Sequence, residues 1–200
     1  PTSGRTGLNS MQIQANGHAI EVDVQGPPDG VPLVLIMGLG MQLTGWPEPF
    51  VQLLVERGQR VIRLDNRDAG LSQGFDHLGM PNVPWAALRY AFRLPVKSAY
   101  SIADMARATL GVLDALGIER AHIVGASMGG MVAQKYLESH EAAGLVLLAS
   151  VPPQGLWAAA LGLAFQKPGV MSDLNSLLGG GRVALDTLRS AMFAQPVTTE

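Results

Sequence analysis

Residues 121–134, AHIVGASMGGMVAQ, decide how this chain folds. Ala121 to Val124 read as an apolar strand and Gly129 to Ser139 as a helix, with only the segment Gly125-Ala126-Ser127-Met128-Gly129 at the junction. So abrupt a passage leaves no room for side chains where the two elements cross, which explains the glycines flanking Ser127. It also strains the serine backbone and lifts the hydroxyl clear of the strand. A bare G-x-S-x-G arises easily by chance in a chain with 24 glycines. The strand before it and the helix behind it give the motif its meaning.

Outward from this point, strands and helices alternate. Upstream, Ser101 and Asp104 form a capping-box start. The helix behind them sets Ile102, Met105, Leu110, Leu113 and Leu116 mainly on one face and ends at Gly117. Downstream, Gly144 to Ser150 reads as a buried strand. Nearer the start, MQIQA leads into Asn16-Gly17, a favoured two-residue hairpin turn, and Ile20, Val22 and Val24 alternate with polar residues. Val31 to Met37 is a continuous apolar run suited to a strand buried on both faces. Residues 46–57 carry Phe50, Leu53 and Leu54 at helical spacing and stop at Gly58, after which RVIRLD (60–65) is the next strand. The expected architecture is α/β: a mostly parallel sheet with helices on both faces. Residues 1–10 read as a polar tail, 11–152 as the core, and 153–200 as short helical segments with no further strand. The sheet pattern is therefore incomplete at its C-terminal side. The loop 66–100 is long enough to expect a functional role.

Composition narrows the chemistry. The chain has 200 residues, 48% of them hydrophobic, and a net charge of -2 from 14 basic and 16 acidic residues. That describes one well-buried domain with no basic footprint for nucleic acid. There is no cysteine, which removes disulfides, thiolate catalysis and cysteine-based zinc sites. Leu156 to Phe165, the most apolar stretch outside the strands, is roughly half of the ~20 residues a membrane span needs. No signal-peptide core opens the chain, so a cytoplasmic location is the default expectation. Nothing in the sequence fixes an oligomeric state.

Ser127 is the candidate nucleophile. The helix behind it offers free N–H groups and positive potential for an oxyanion, with the Met128 N–H as one donor. Met37-Gly38-Leu39-Gly40 follows the buried strand 31–37, where a strand-to-helix turn offers the Leu39 N–H as the second donor. The motifs MGLGMQLTGWPEPF, RVIRLDNRDAGLS and HIVGASMGGMVAQ resemble α/β hydrolases related to aclacinomycin methylesterase and similar esterases, over roughly residues 11–150. The resemblance implies the α/β-hydrolase fold and hydrolysis of a small-molecule carboxylic ester by a Ser-His-acid triad, without a cofactor or metal. It further implies that 153–200 begin a helical lid, whose Leu156, Trp157, Leu161, Leu163 and Phe165 would serve an apolar group or the lid's own packing. Asp65, Asn66, Arg67 and Asp68 form a charged cluster. Its expected role is to knit the loop after the strand through charge-assisted hydrogen bonds.

A serine hydroxyl needs an adjacent base, and spacing tests each histidine. His122 lies five residues before Ser127 on the same strand, roughly 16 Å away at about 3.3 Å per residue. His140 lies thirteen residues after it, roughly 20 Å along the helix at about 1.5 Å per residue. His18 belongs to the opening hairpin. His77 sits at the correct edge of the sheet, yet precedes the serine in a fold that orders its triad Ser, acid, His. A surface or lid-contacting role is the expectation for it. Asp173 and Asp186 fall in the lid-like segments. The acid and histidine are accordingly expected beyond Glu200, and residues 1–200 alone are expected to hydrolyse activated esters poorly. A haloperoxidase or acyltransferase of the same fold would keep the same serine, and a non-catalytic binding protein would keep only its pocket.

Overall fold

The structure is a computed structural model that describes residues 10–78, 85–86, 89, 92, 94–96 and 98–150. These residues all fall within one unit of the chain, Pro1–Pro153. The segments expected to form a lid, with Asp173 and Asp186, lie outside the described residues.

Among the described residues six strands form one sheet in the order β1-β2-β4-β3-β5-β6. They are β1 (Ser10–Ala15), β2 (His18–Gln25), β3 (Val31–Ile36), β4 (Gln59–Leu64), β5 (His122–Ala126) and β6 (Gly144–Leu148). The β1–β2 hairpin turns at Asn16 and Gly17, both at positive φ (51° and 77°), as a tight primed turn requires. β2 runs antiparallel to β4, whereas β4, β3, β5 and β6 are mutually parallel. Three helices serve as crossovers: α1 (Glu48–Glu56), α2 (Ile102–Ala115) and α3 (Met128–Leu137).

The continuous apolar runs are explained by a core on each face. Along β3, Val34 and Ile36 enter the core under α2 and α3, while Leu33 and Leu35 enter the core under α1. The period of two along a strand makes that division. β4 splits the same way, with Ile62 and Leu64 opposite Val61, and β5 with Ile123 opposite Val124. α1 and α3 thus lie on opposite faces, because the chain leaves β3 toward β4 and leaves β5 toward β6, and crossovers of one hand then fall on opposite sides. The boundary between β3 and β5 is the switch point of the sheet, where open α/β sheets place their ligands.

Two expectations are corrected. The buried residue of α1 is Val51, flanked by partly buried Phe50, Leu54 and Val55, whereas Leu53 is 55% exposed. The apolar triplet Phe50, Leu53, Leu54 was compatible with two helix faces, and packing on the sheet selects the one centred on Val51. The strand read over 144–150 is shorter, Gly144–Leu148, and its place at the edge among the described residues is what a sheet incomplete at its C-terminal side implies. Among the described residues β5 is its neighbour, and Leu145, Val146, Leu147 and Leu148 are all exposed. Buried charge ties α1 to the sheet: Arg63 of β4 bonds Asp23 of β2 at 2.6 Å and Glu48 of α1 at 3.0 Å. No helix among the described residues is long and apolar enough to cross a membrane.

The capping box of α2 is formed as expected. The Ser101 hydroxyl accepts from the Asp104 N–H, and the Asp104 carboxylate accepts from the Ser101 N–H at 2.8 Å. Chiefly through its hydrogen bond with the Ser101 side chain, the Asp104 carboxyl is pulled down to about 2. A depressed folded-state value means stability that is present above the unfolded carboxylate value, near 4, and lost as pH falls toward 2. Ser101→Ala is expected to cost about 1 kcal/mol at neutral pH and to return Asp104 toward ordinary titration. Urea unfolding at pH 7 and pH 2.5 checks both, because the difference between variant and parent should shrink at the lower pH.

Candidate active site

Ser127 occupies the turn between β5 and α3 at φ 53°, ψ -120°. It is exposed, and α3 begins with the next residue. A non-glycine residue in this backbone region persists only where its surroundings enforce it. Here the enforcement is visible on both sides. The Ser127 N–H donates to the Leu148 carbonyl at the end of β6 (2.9 Å), and its carbonyl accepts from the Gly130 N–H (3.0 Å).

The glycines around it are required by crowding. A Cβ on Gly125 would stand 2.5 Å from the Gly129 carbonyl oxygen, and one on Gly129 would stand 2.2 Å from the Ile36 carbonyl oxygen. One on Gly130 would strike the Ser150 side chain. Gly125 therefore lets β5 meet the first turn of α3, while Gly129 lets α3 rest on the end of β3.

That closeness brings in the turn after β3. A Cβ on Gly38 would lie 3.1 Å from the Ser127 Cβ and 3.5 Å from its Oγ. The turn is closed by the Met41 N–H donating to the Gly38 carbonyl (3.2 Å), with Gly40 at φ 67°. Leu39 stands at its tip, 75% exposed. Neither the Leu39 N–H nor the Met128 N–H has an acceptor among the described residues.

The charged cluster after β4 supports this turn. Asp65 is buried, and its carboxylate accepts from the Leu43 N–H (2.5 Å) and the Leu71 N–H (2.9 Å). The Asn66 carboxamide donates to the Met37 carbonyl (3.0 Å). Asp68 accepts from the Phe75 N–H (3.0 Å). Arg67 is buried beside His18, with 3.5 Å between its Nη1 and the imidazole Nε2, and its Nε has no partner among the described residues. Burial lowers its guanidinium below the ordinary value, with the Asp104 carboxylate opposing. Arg67 knits the loop to the hairpin, whereas the acids bind backbone N–H groups.

The histidines all have other partners. His18 Nδ1 donates to the Asn16 carbonyl (3.1 Å). His77, on a 3-10 turn (Asp76–Leu78), faces the Phe75 ring, which also contacts His18 and Tyr100. His122 lies against Gly144 of β6, and His140 against Tyr136. No described histidine is hydrogen-bonded to Ser127.

A strained serine between a parallel strand and a helix, at the switch point of such a sheet, marks one fold family. The family model for the alpha/beta hydrolase fold matches residues 31–174. The chain belongs to this family. Among relatives of this α/β hydrolase, rhodomycin D methylesterase DauP of Streptomyces sp. (strain C5) is 34% identical over 109 residues. Those residues make up 54% of this chain and 30% of that protein. The 2-hydroxy-6-oxo-6-phenylhexa-2,4-dienoate hydrolase of Burkholderia cepacia is 35% identical, over 51% of this chain and 39% of its own length. The crystal structure of the esterase RhEst1 from Rhodococcus sp. ECU1013 superposes with a TM-score of 0.55 at 26% identity. It covers 72% of this chain and 46% of that one. The chain spans about a third of the length of the first curated relatives it matches.

Of the residues the sequence pointed to, Ser127 stands on the expected turn with Gly38 against it, and Gly125 and Gly129 line the crossing. The sequence did not point to the grip of Asp65 and Asn66 on the turn, nor to the Leu148 carbonyl holding Ser127. The strain at Ser127 yields a stability prediction. Ser127→Gly and Ser127→Ala both remove the hydroxyl, but only glycine adopts this φ freely. The glycine variant should be about 1 kcal/mol more stable than the alanine variant. Equal midpoints in urea would mean that the serine backbone carries no strain.

Proposed function

We propose that this α/β hydrolase is a serine esterase that cleaves a carboxylic ester through an acyl-enzyme on Ser127. The observation that carries the reading is the exposed Ser127 on its strained turn, with Gly38 against it and the helix N-terminus beginning at Met128. The relatives named methylesterase and esterase support the substrate class.

In this reading the Ser127 Oγ attacks the ester carbonyl carbon and gives its proton to a general base, and the carbonyl oxygen becomes the oxyanion. The N–H groups of Leu39 and Met128 hold that oxyanion, Met128 with the added positive potential of the α3 N-terminus. Collapse expels the alcohol, which takes the proton, and water then releases the acid by the reverse sequence. We assign the acid and the base to chain downstream of β6, following the order of the fold. Exposed Leu39 and Met41 give an apolar surface to the turn whose Gly38 lies against Ser127, which favours an ester with an apolar group.

The test uses the full-length protein, a fluorophosphonate that phosphonylates activated serines, and p-nitrophenyl acetate. The adduct is expected on the peptide carrying Ser127, and Ser127→Ala should lower kcat by roughly 10⁴-fold or more. An adduct on another residue, or turnover that survives Ser127→Ala, overturns the assignment. A protein that neither labels nor turns over is a binding protein on a hydrolase fold.

A further inference from the structure

We propose that Asp65 and Asn66 are positioning residues that aim the Leu39 N–H by gripping both ends of its turn. The inference rests on the reading in which Leu39 holds the oxyanion.

The turn after β3 has few means of holding itself. Its internal bond is the Met41-to-Gly38 contact, its tip Leu39 is exposed, and Gly40 adds backbone freedom. Its ends are fixed from outside. At one end the Asn66 carboxamide holds the Met37 carbonyl, and at the other the Asp65 carboxylate holds the Leu43 N–H. Both grips are buried, where a hydrogen bond lost leaves a polar group without water.

The anchor is itself fixed. Asp65 directly follows β4, the strand beside β3. Its N–H donates to the Glu21 carbonyl (3.0 Å), and its carbonyl accepts from the Ser72 hydroxyl (2.7 Å). Its second carboxylate oxygen accepts from Leu71, so the side chain is held from two directions. Gly70 makes the space: a Cβ there would stand 1.9 Å from that carboxylate oxygen.

The residue types fit the task. Two N–H groups converge on Asp65, so a carboxylate accepts both, whereas a carboxamide accepts one and turns its NH₂ on the other. Met37 presents a carbonyl, so position 66 needs a donor. A merely structural loop would tolerate either exchange at the cost of stability alone. A positioning role requires the damage to appear at the oxyanion.

The test compares the full-length protein with Asp65→Asn, Asn66→Asp and Gly70→Ala, the last displacing the carboxylate without altering it. Two readouts are used. The first, amide hydrogen exchange, requires no turnover. Exchange at Leu43 and across 38–42 should accelerate by roughly tenfold or more while β3 and α3 remain protected. The second compares p-nitrophenyl acetate with its thionoester, whose sulfur gains little from N–H donors. Turnover of the oxygen ester should fall by roughly 10- to 100-fold, short of the ~10²–10³ for outright loss of a donor. KM should stay within about twofold, and the ester-to-thionoester ratio should fall with kcat. Unchanged exchange in 38–43, or a kcat loss that leaves the ratio intact, overturns the proposal. If a variant fails to fold, the other two carry the comparison. Ser127→Ala separates the outcomes: turnover that survives it sinks the esterase reading, while the exchange data still decide the grip.

Discussion

The site depends on one steric fact: the first turn of α3 lies directly against the end of β3. Gly129 has no Cβ, and one would stand 2.2 Å from the Ile36 carbonyl oxygen. Backbone atoms cannot yield as a flexible side chain yields, so the contact fixes α3 on β3. From that contact follow the sharp turn, the positive φ of Ser127, and the approach of Gly38 to its hydroxyl. The free energy stored in the serine backbone is sustained by the two cores, which clamp the strand from both faces.

Much of the fold was legible because burial on both sides of a sheet leaves a plain mark. The runs Val31–Met37 and Val61–Leu64 have no polar residue apart from Arg63, and Arg63 is absorbed by Asp23 and Glu48. The hairpin was legible in Asn16-Gly17 and the α2 start in Ser101 and Asp104, since both are local chemistries within four residues. Where periodicity admitted two solutions it decided less: Phe50, Leu53 and Leu54 have helical spacing, and only the sheet beneath α1 selects Val51 as the inward residue.

The site was half legible for a related reason. Ser127 announces itself through its glycines, because the crossing imposes residue types at fixed offsets. Asp65 and Asn66 announce nothing comparable. Their partners Leu43 and Met37 lie 22 and 29 residues away along the chain, and contacts of that kind follow no period. An acid-amide pair straight after a buried strand was the signal present, and it reads equally well as loop chemistry. The exposure of β6 was legible from the incomplete sheet pattern and not from the strand's own residues. Its residues Gly144 to Leu148 have the composition of an interior strand, and neighbours, not composition, set burial.

The division of the molecule into two cores also bears on how such a protein can change. The nucleophile turn is rooted under α3, in the core that holds Val132, Ala133 and Tyr136, whereas the turn after β3 leans on the α1 core through Met37 and Trp46. The two cores are separated by the sheet, and substitutions without shared contacts act nearly independently. Repacking around Val132 therefore bears on the nucleophile turn, whereas repacking around Trp46 bears on the wall beside it and reaches the serine's strand only through Val124 and Ala126. A lineage or an engineer can reshape that wall in small steps at side chains that leave Val124 and Ala126 in place, because those two tie β5 to the same core.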